Sequence, residues 1–342
     1  MIKILDCKNP NYLSRLKLIL NKRRFKSKIN TDIVIKIVKD IKKNKQKALL
    51  KYEKKFSKNT KIKPTKNEIT KSINSLDPKT KNAIDFAYSR ILKFHSMQKA
   101  KNIKYVDKQN NKIEYRYIPI QSVGIYVPSN LPSTLLMNAI LAKKIAGVKR
   151  VVLANPRLNG KLSPAVMYAA KKCGISEIIS AGGSQAIASL AYIQKVNKIV
   201  GPGNDYVARA KKEVFGDVGI EGMVAGPSEI TVVADKNTNL KEVLTSLIGQ
   251  AEHDTNSQCI LIANNQNFIK SLKKVLNQEL NKIPRKNIAK KSLLRNGLIL
   301  RVYNNTQIID SINEIAPEHL ELNLKNYKKL INKIKNVGSI CI

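Results

Sequence analysis

Residues 122–216 alternate between short runs rich in β-branched apolar residues and longer segments whose apolar positions recur every three or four residues. The short runs predict strands at 122–128, 149–156, 177–183 and 198–204. The longer segments predict helices at 132–147, 163–174, 184–193 and 205–216. Strands that alternate with helices form parallel βαβ units, so this region is predicted to be one doubly wound, Rossmann-like domain.

A second series of the same kind follows. Strands are predicted at 229–235, 258–264, 298–304 and 337–342, and helices at 239–254, 267–283, 306–316 and 326–334. Residues 31–105 are predicted to be mainly helical and are rich in lysine. No apolar run approaches the roughly 18 residues of a membrane helix, and the N-terminus has no uninterrupted apolar segment typical of a signal peptide.

The net charge of +39 raises the possibility of a nucleic-acid partner. Residues 121–235 carry a net charge of only +6, however, and the other 227 residues carry +33, mostly in amphipathic stretches such as 36–56. There is no helix-turn-helix, zinc-finger or RNP pattern, and aromatic residues are only 5% of the chain. We therefore interpret the lysines as a solvated surface and expect neither a specific nucleic-acid partner nor a membrane partner.

The four cysteines, Cys7, Cys173, Cys259 and Cys341, are scattered and form no CxxC pair. This usage fits reduced thiols in a cytoplasmic protein better than a disulfide framework or a cysteine-ligated zinc site.

Gln250 and His253 form the first candidate site, in a chain that has only three histidines. At helical spacing both lie on one flank of the apolar stripe of helix 239–254, whereas Glu252 points away from them. An amide and an imidazole three residues apart can supply half of a metal's coordination sphere or bind a substrate. The alternative is a hydrogen-bonded histidine at the edge of a helix.

Glu318 and His319, in the motif APEHLEL (316–322), form the second candidate site. Side by side, they could supply one base for a hydroxyl proton and another for water. The alternative is a loop carboxylate next to a surface histidine.

Glycine-rich turns form a third group of signals. GPGNDY (201–206) and AGGSQAI (181–187) place glycines between a strand and a helix, where free N–H groups can bind a phosphate. Neither is a GxGxxG motif, and the chain has no GxxxxGK[ST] motif. AGPSE (225–229) places Ser228 at a turn that opens a strand. Each signal is weak alone.

Seven segments taken together are specific. They occur in the order and at the intervals found in the histidinol dehydrogenase family, which the chain resembles from about residue 20 to its end: GIYVP, PSTLLMNAILAKKIAG, GGSQAIASLAY, KIVGPGNDYV, AGPSEITVVAD, QAEHDTNSQ and APEHLEL. The resemblance implies a cytoplasmic homodimer that uses zinc and NAD. It also implies oxidation of L-histidinol through L-histidinaldehyde to L-histidine, with two NAD reduced.

The resemblance also implies roles for individual residues. Gln250 and His253 are implied as zinc ligands that also contact the substrate. Glu318 and His319 are implied as the acid/base pair, with His319 and Ser228 contacting the substrate. The residues implied to bind NAD are Tyr126, Gln185 and Asn204.

The implied fold is α/β, with two Rossmann-like doubly wound parallel-sheet domains, one inserted in the other. Residues 124–227 would form the inserted domain, residues 23–123 and 228–342 the discontinuous domain, and residues 1–22 an N-terminal arm.

The chain departs from the family pattern in two ways. The loop SNLPST and the loop after GGSQAIASLAY are short, and both lie near the implied cofactor region. The family also continues beyond GSICI with an aspartate zinc ligand and a tail that reaches the partner subunit's site. We therefore expect these 342 residues alone to bind zinc poorly and to oxidise histidinol slowly or not at all. The alternative function is a non-catalytic basic protein that binds nucleic acid or an acidic partner.

Overall fold

A computed structural model describes residues 2–23, 31–221 and 228–342. The chain divides into two compact units, which are described separately. The terminal unit comprises residues 1–26 and 226–342, and the central unit comprises residues 27–225.

The strands are, in chain order, β1 (Lys3–Asp6), β2 (Ile103–Val106), β3 (Lys112–Tyr115), β4 (Ser122–Tyr126), β5 (Arg150–Ala154), β6 (Glu177–Ile179), β7 (Lys198–Val200), β8 (Gly219–Ile220), β9 (Glu229–Ala234), β10 (Gln258–Ala263), β11 (Gly297–Arg301), β12 (His319–Asn323) and β13 (Ser339–Cys341). The helices are α1 (Tyr12–Arg23), α2 (Thr31–Ser57), α3 (Lys66–Asn74), α4 (Pro78–Ser96), α5 (Pro132–Ala139), α6 (Pro164–Cys173), α7 (Gly183–Tyr192), α8 (Asp205–Val214), α9 (Leu240–Ala251), α10 (Gln266–Lys282), α11 (Lys286–Asn296), α12 (Asn305–Ile315) and α13 (Lys328–Ile331).

The central unit is built on a five-stranded parallel sheet in the order β6-β5-β4-β7-β8. Strand β4 is buried along its whole length, as expected of a strand with helices on both faces. One face packs against α2, α7 and α8, and the other packs against α4, α5 and α6. The predicted doubly wound α/β fold is thereby confirmed.

Local signals in this unit act as predicted, with one exception. The Ser163 side chain accepts a hydrogen bond from the Val166 N–H at the start of α6, and Gly174 ends that helix in the left-handed conformation. The predicted helix 132–147 is regular only as far as Ala139, and it continues as a π-helical segment, Ile140–Ile145. Apolar spacing does not distinguish one inserted residue in a helix from a regular turn.

The lysine-rich region 31–105 supplies α2, α3 and α4, as predicted, and the antiparallel hairpin β2–β3 begins at its end. Helix α2 is interrupted at Lys45, where φ is 48°. Its apolar face packs against α7 and α8 of the central unit. The hairpin is exposed along both strands.

The terminal unit is built on a six-stranded parallel sheet in the order β1-β11-β10-β9-β12-β13. Its central strands are continuous apolar runs, and all six residues of β10 are buried. Helices α9, α10 and α11 pack against one face, and α1 and α12 pack against the other.

These two units differ from the predicted domain boundaries. Residues 1–22, predicted to be an arm, contribute β1 and α1, because β1 pairs with β11 and Leu16 is fully buried against that sheet. Residues 27–123 group with the central unit rather than with residues 228–342, because α2, α3 and α4 pack on its helices. The predicted junction at residues 227 and 228 borders positions 222–227, which lie outside the described residues.

All four cysteines are free thiols. Cys7, Cys173 and Cys259 are buried, and burial raises the pKa of Cys7 and Cys259 to about 12 and that of Cys173 to about 11. Thiols of this kind are unreactive core residues. Within the three described ranges, no helix combines the length and the apolar character that crossing a bilayer requires.

Candidate active site

The candidate residues of the terminal unit lie at the amino edge of its sheet. Ser228 directly precedes β9, and His319 is the first residue of β12, which is paired with β9 through Ile230. Helix α9 runs back from the carboxyl edge, so its C-terminal end, with Gln250 and His253, returns to the amino edge. Sites in doubly wound sheets usually lie at the carboxyl edge, so this arrangement is the reverse of the usual one.

Glu318 and His319 form a half-exposed pair. A Glu318 carboxylate oxygen lies 3.8 Å from Nε2 of His319, and the two side chains are 53% and 47% exposed. The second Glu318 oxygen accepts a hydrogen bond of 3.2 Å from the backbone N–H of Glu229. One carboxylate oxygen is therefore fixed by the sheet, while the other faces the imidazole and solvent.

Ser339, which the sequence did not single out, orients the imidazole. Its hydroxyl oxygen lies 2.9 Å from Nδ1 of His319, across the β12–β13 register, and 3.3 Å from the carbonyl oxygen of Glu318. When the Ser339 O–H donates to that carbonyl, its oxygen can accept from an Nδ1–H. In that tautomer Nε2, the atom that faces Glu318, carries no proton.

A second carboxylate and an arginine lie at the same edge. Burial raises the pKa of Glu229, and the charge of Glu318 raises it further. The largely buried guanidinium of Arg23 donates to Oε1 of Gln258 at 3.2 Å and to the Gly297 carbonyl at 3.3 Å. Burial lowers the pKa of Arg23 to about 10. Neither Glu229 nor Arg23 was predicted, because their proximity depends on strand pairing.

The placement of His253 on a helix flank was wrong. Helix α9 begins at its predicted cap, Asn239, but it ends at Ala251, and His253 lies in the turn that follows. In that turn the Asp254 N–H donates to the Ser257 hydroxyl at 3.2 Å, and such side-chain bonds compete with helix continuation. The backbone N–H of His253 still donates to the Gln250 carbonyl at 3.2 Å, so the two residues stay adjacent.

Gln250 and His253 differ in burial. The side-chain nitrogen of Gln250 is buried and has no hydrogen-bond partner among the described residues, whereas His253 is exposed. A buried amide N–H group without a partner is unusual, and a bound hydrogen-bond acceptor would complete its interactions. Nowhere in the described ranges do three or more His, Cys, Asp or Glu residues cluster closely enough to hold a metal ion.

The candidate residues of the central unit lie at the carboxyl edge of its sheet. Tyr126 ends β4, Gln185 lies in the first turn of α7 after β6, and Asn204 is the N-cap of α8 after β7. From β4 the chain adds β5 and β6 on one side and later β7 and β8 on the other. Tyr126 therefore lies at the topological switch point, where doubly wound sheets bind nucleotides.

Tyr126 and Gln185 belong to one buried hydrogen-bonded group. The Tyr126 hydroxyl accepts from the Gly183 N–H at 3.2 Å, and burial, the main cause, raises its pKa. The Gln185 side-chain nitrogen donates to Oε1 of Glu53 at 2.8 Å. Asn204 instead caps α8 by accepting from the Val207 N–H at 3.2 Å.

Two glycines beside the switch point leave no room for a side chain. A Cβ on Gly201, whose φ is 102°, would lie 2.1 Å from the Tyr126 carbonyl oxygen. A Cβ on Gly203 would lie 2.3 Å from Cγ1 of Val207. Both glycines of the GPGN turn are therefore required for packing, because protein atoms already occupy the place that a Cβ would take.

Two parallel, doubly wound sheets with polar side chains at their strand ends define an α/β protein of the Rossmann-like class. The acetylating aldehyde dehydrogenase of Geobacillus thermoglucosidasius shares this fold alone, with a TM-score of 0.50 and 13% identity over 96% of this chain and 84% of that one. The histidinol dehydrogenase family model matches residues 20–342, and the chain belongs to that family.

The comparisons with individual histidinol dehydrogenases agree with this assignment. The chain is 57% identical to that of Pelagibacter ubique (strain HTCC1062), over 100% of this chain and 81% of the relative. It is 38% identical to the histidinol dehydrogenase of Listeria monocytogenes, over 94% of this chain and 78% of the relative. The crystal structure of histidinol dehydrogenase from Elizabethkingia anophelis is similar with a TM-score of 0.91 and 34% identity, over 99% of this chain and 79% of that one.

Proposed function

We propose that this chain is a cytoplasmic, zinc- and NAD-dependent histidinol dehydrogenase of histidine biosynthesis. Its reaction would be the oxidation of L-histidinol through L-histidinaldehyde to L-histidine, with two NAD reduced. Two observations support it: the chain belongs to the histidinol dehydrogenase family, and Glu318 and His319 lie close together at one edge of the sheet. A protein that only binds a partner has no need of that geometry.

His319 is proposed as the base that removes the hydroxyl proton. The Ser339 contact leaves Nε2 of the neutral imidazole free to accept a proton. The Glu318 carboxylate, 3.8 Å from Nε2, stabilises the imidazolium that forms. In the second oxidation Glu318 helps to activate the water that adds to the aldehyde, for which its half-exposed position leaves access.

Gln250 and His253 are proposed to hold the zinc ion and to contact the substrate, and Ser228 is proposed as a further substrate contact. The exposed imidazole of His253 fits zinc binding, and Gln250 would bind the metal through its amide oxygen, while its unpartnered amide N–H group is free to donate to the substrate. When bound, zinc would orient the amino alcohol and polarise its oxygen. Catalytic zinc generally has about three protein ligands, so two donors alone make a weak site.

The carboxyl edge of the central unit is proposed to bind NAD, which accepts the hydride, through Tyr126, Gln185 and Asn204. The GPGN turn lies between β7 and the N-terminus of α8, where free backbone N–H groups can bind a pyrophosphate. The Gln185 side-chain oxygen accepts no hydrogen bond from the described residues and fits a donor on the cofactor.

The proposed activity is tested by incubating the chain with L-histidinol, NAD and Zn²⁺ and following NADH absorbance. We expect slow turnover, because two donors alone bind zinc weakly, with two NADH formed per histidinol consumed and histidine as the product. Histidinol-independent NADH formation, or none at saturating zinc, would contradict the proposal. Ethanol in place of histidinol is the substrate control.

Replacing His253 by alanine is expected to weaken zinc binding about tenfold or more, because one of two proposed donors is lost. Glu252→Ala is the matched control, since Glu252 is the adjacent C-cap residue and has no proposed contact with the metal. The measurement is zinc affinity by competition with a chromogenic chelator. Equal affinities of the wild-type chain and His253→Ala, or a loss confined to Glu252→Ala, would contradict the assignment.

A homodimer is proposed, and the hairpin β2–β3 supports it. Ile103, Tyr105, Val106, Ile113 and Tyr115 are each more than half exposed. An isolated two-stranded hairpin is marginally stable in water, and exposed apolar patches usually mark interfaces. A second copy of this chain is the proposed partner of this exposed hairpin.

The alternative of a nucleic-acid-binding protein has only the net charge in its favour, and we propose no specific nucleic-acid partner and no membrane partner.

A further inference from the structure

Glu53 is a buried carboxylate that the proposed chemistry does not use. It lies on α2, in the lysine-rich stretch 36–56, and its exposed fraction is 0%. Its Oε1 accepts from the Gly182 N–H at 2.9 Å and from the Gln185 side-chain nitrogen at 2.8 Å. Its Oε2 is buried and has no partner among the described residues.

Stability alone does not account for this carboxylate. Burying an acidic side chain with one oxygen unpartnered costs free energy, and an apolar residue at this position of α2 would avoid that cost. Its two hydrogen bonds instead join α2 to the turn Gly182–Gly183 and to Gln185, where the chain leaves β6. The same group includes Tyr126, whose hydroxyl is held by the Gly183 N–H and whose pKa the Glu53 charge helps to raise.

The hydrogen bonds fix which way the Gln185 amide points. A carboxylate only accepts, so Gln185 must turn its NH₂ group toward Glu53. Its oxygen then lies 3.1 Å from where a Cβ on Gly183 would be, and it accepts no hydrogen bond from the described residues. Gly183 has a φ of 59°, so both the conformation and the space favour glycine there.

We propose that Glu53 is a positioning residue of the nucleotide-binding edge: it orients Gln185 so that its amide oxygen accepts a hydrogen bond from a donor group of the dinucleotide. This inference rests on the proposed NAD site. It assigns a function to a helix whose composition alone indicates only a solvated surface.

The test is the dissociation constant of NADH, measured from NADH emission, which is undisturbed because the chain has no tryptophan. Glu53→Ala is expected to weaken NADH binding about tenfold or more. Glu53→Gln, whose amide oxygen can accept both hydrogen bonds, is expected to bind within about threefold of wild type. Glu177→Ala is the control, since Glu177 begins β6 at the opposite edge of the same sheet and is exposed.

A double-mutant cycle separates positioning from a general structural effect. In a Gln185→Ala background, Glu53→Ala is expected to cause no further loss, because the residue through which it acts is gone. Independent, additive losses would overturn the proposal, as would wild-type affinity in Glu53→Ala.

Should Glu53→Ala fail to fold, Glu53→Asp replaces it, since the shorter side chain withdraws the carboxylate by one methylene and is expected to weaken binding similarly. Unchanged affinity in Glu53→Asp would then overturn the proposal. If the wild-type chain does not bind NADH, the proposed cofactor is contradicted. If the wild-type chain binds NADH and the Glu53 variants bind it equally well, only the role of Glu53 is contradicted.

Discussion

Replacement of His319 by glutamine is expected to lower kcat for histidinol oxidation by about 10²–10⁴-fold, with a much smaller change in KM. Glutamine keeps a polar side chain of similar reach, but it cannot accept the hydroxyl proton. A base acts in the transition state, so its loss affects turnover more than substrate binding. The measurement is steady-state NADH formation at saturating NAD and zinc.

His95→Gln is the matched control, because His95 is buried in the central unit, where Nδ1 lies 2.6 Å from the Gln98 side-chain oxygen, and it has no proposed catalytic role. A kcat within about threefold of wild type is expected for this variant. If His319→Gln retained wild-type turnover, or raised KM alone, His319 would be a binding residue and not the base.

Replacing Gly201 by alanine is expected to destabilise the central unit by more than about 4 kcal/mol and to abolish NADH binding. The added Cβ would lie 2.1 Å from the Tyr126 carbonyl oxygen, a distance that only a backbone shift can relieve. That shift would separate the turn after β7 from the end of β4 at the switch point. Urea denaturation followed by circular dichroism measures the loss of stability.

Gly216→Ala separates the clash from the cost of the backbone conformation. Gly216 has a φ of 99°, close to the 102° of Gly201, but nothing lies within 4 Å of its Cβ position. Conformational strain alone predicts about 1–3 kcal/mol for this variant. Equal destabilisation of the two variants would show that the contact with Tyr126 is not what requires glycine at position 201.

The βαβ alternation was predictable because local spacing and caps determine it. The Ser163 side chain caps the start of α6, Gly174 ends that helix in the left-handed conformation, and the strands are mostly apolar runs. The π-helical segment Ile140–Ile145 was missed because it changes the backbone without changing the apolar pattern. The early end of α9 was missed because the spacing of apolar residues along that helix gives no information about the competing Asp254–Ser257 turn.

The chemistry of the site was only partly predictable, because it depends on pairing between distant segments. Glu318 and His319 are adjacent in sequence, so their proximity required no knowledge of the fold. Ser339 contacts His319 only because β13 pairs with β12. One local signal indicated that Glu53 is buried: it lies four residues after Leu49, on the apolar face of α2. The lysine-rich composition of the helix obscured this signal.

The use of the amino edge in the terminal unit has a consequence for protein engineering. The turns at the opposite edge, after β9, β10 and β11, carry none of the proposed ligands or bases. In the Asp235–Thr238 turn the Thr238 hydroxyl donates to the Asn323 carbonyl at 2.6 Å, so labels, affinity tags or short peptide insertions are better placed after β10 and β11. The α9–β10 and α12–β12 connections are expected not to tolerate such changes, because they carry the proposed site residues His253 and Glu318. In this unit, therefore, the end of the sheet that usually carries the chemistry is the end open to redesign.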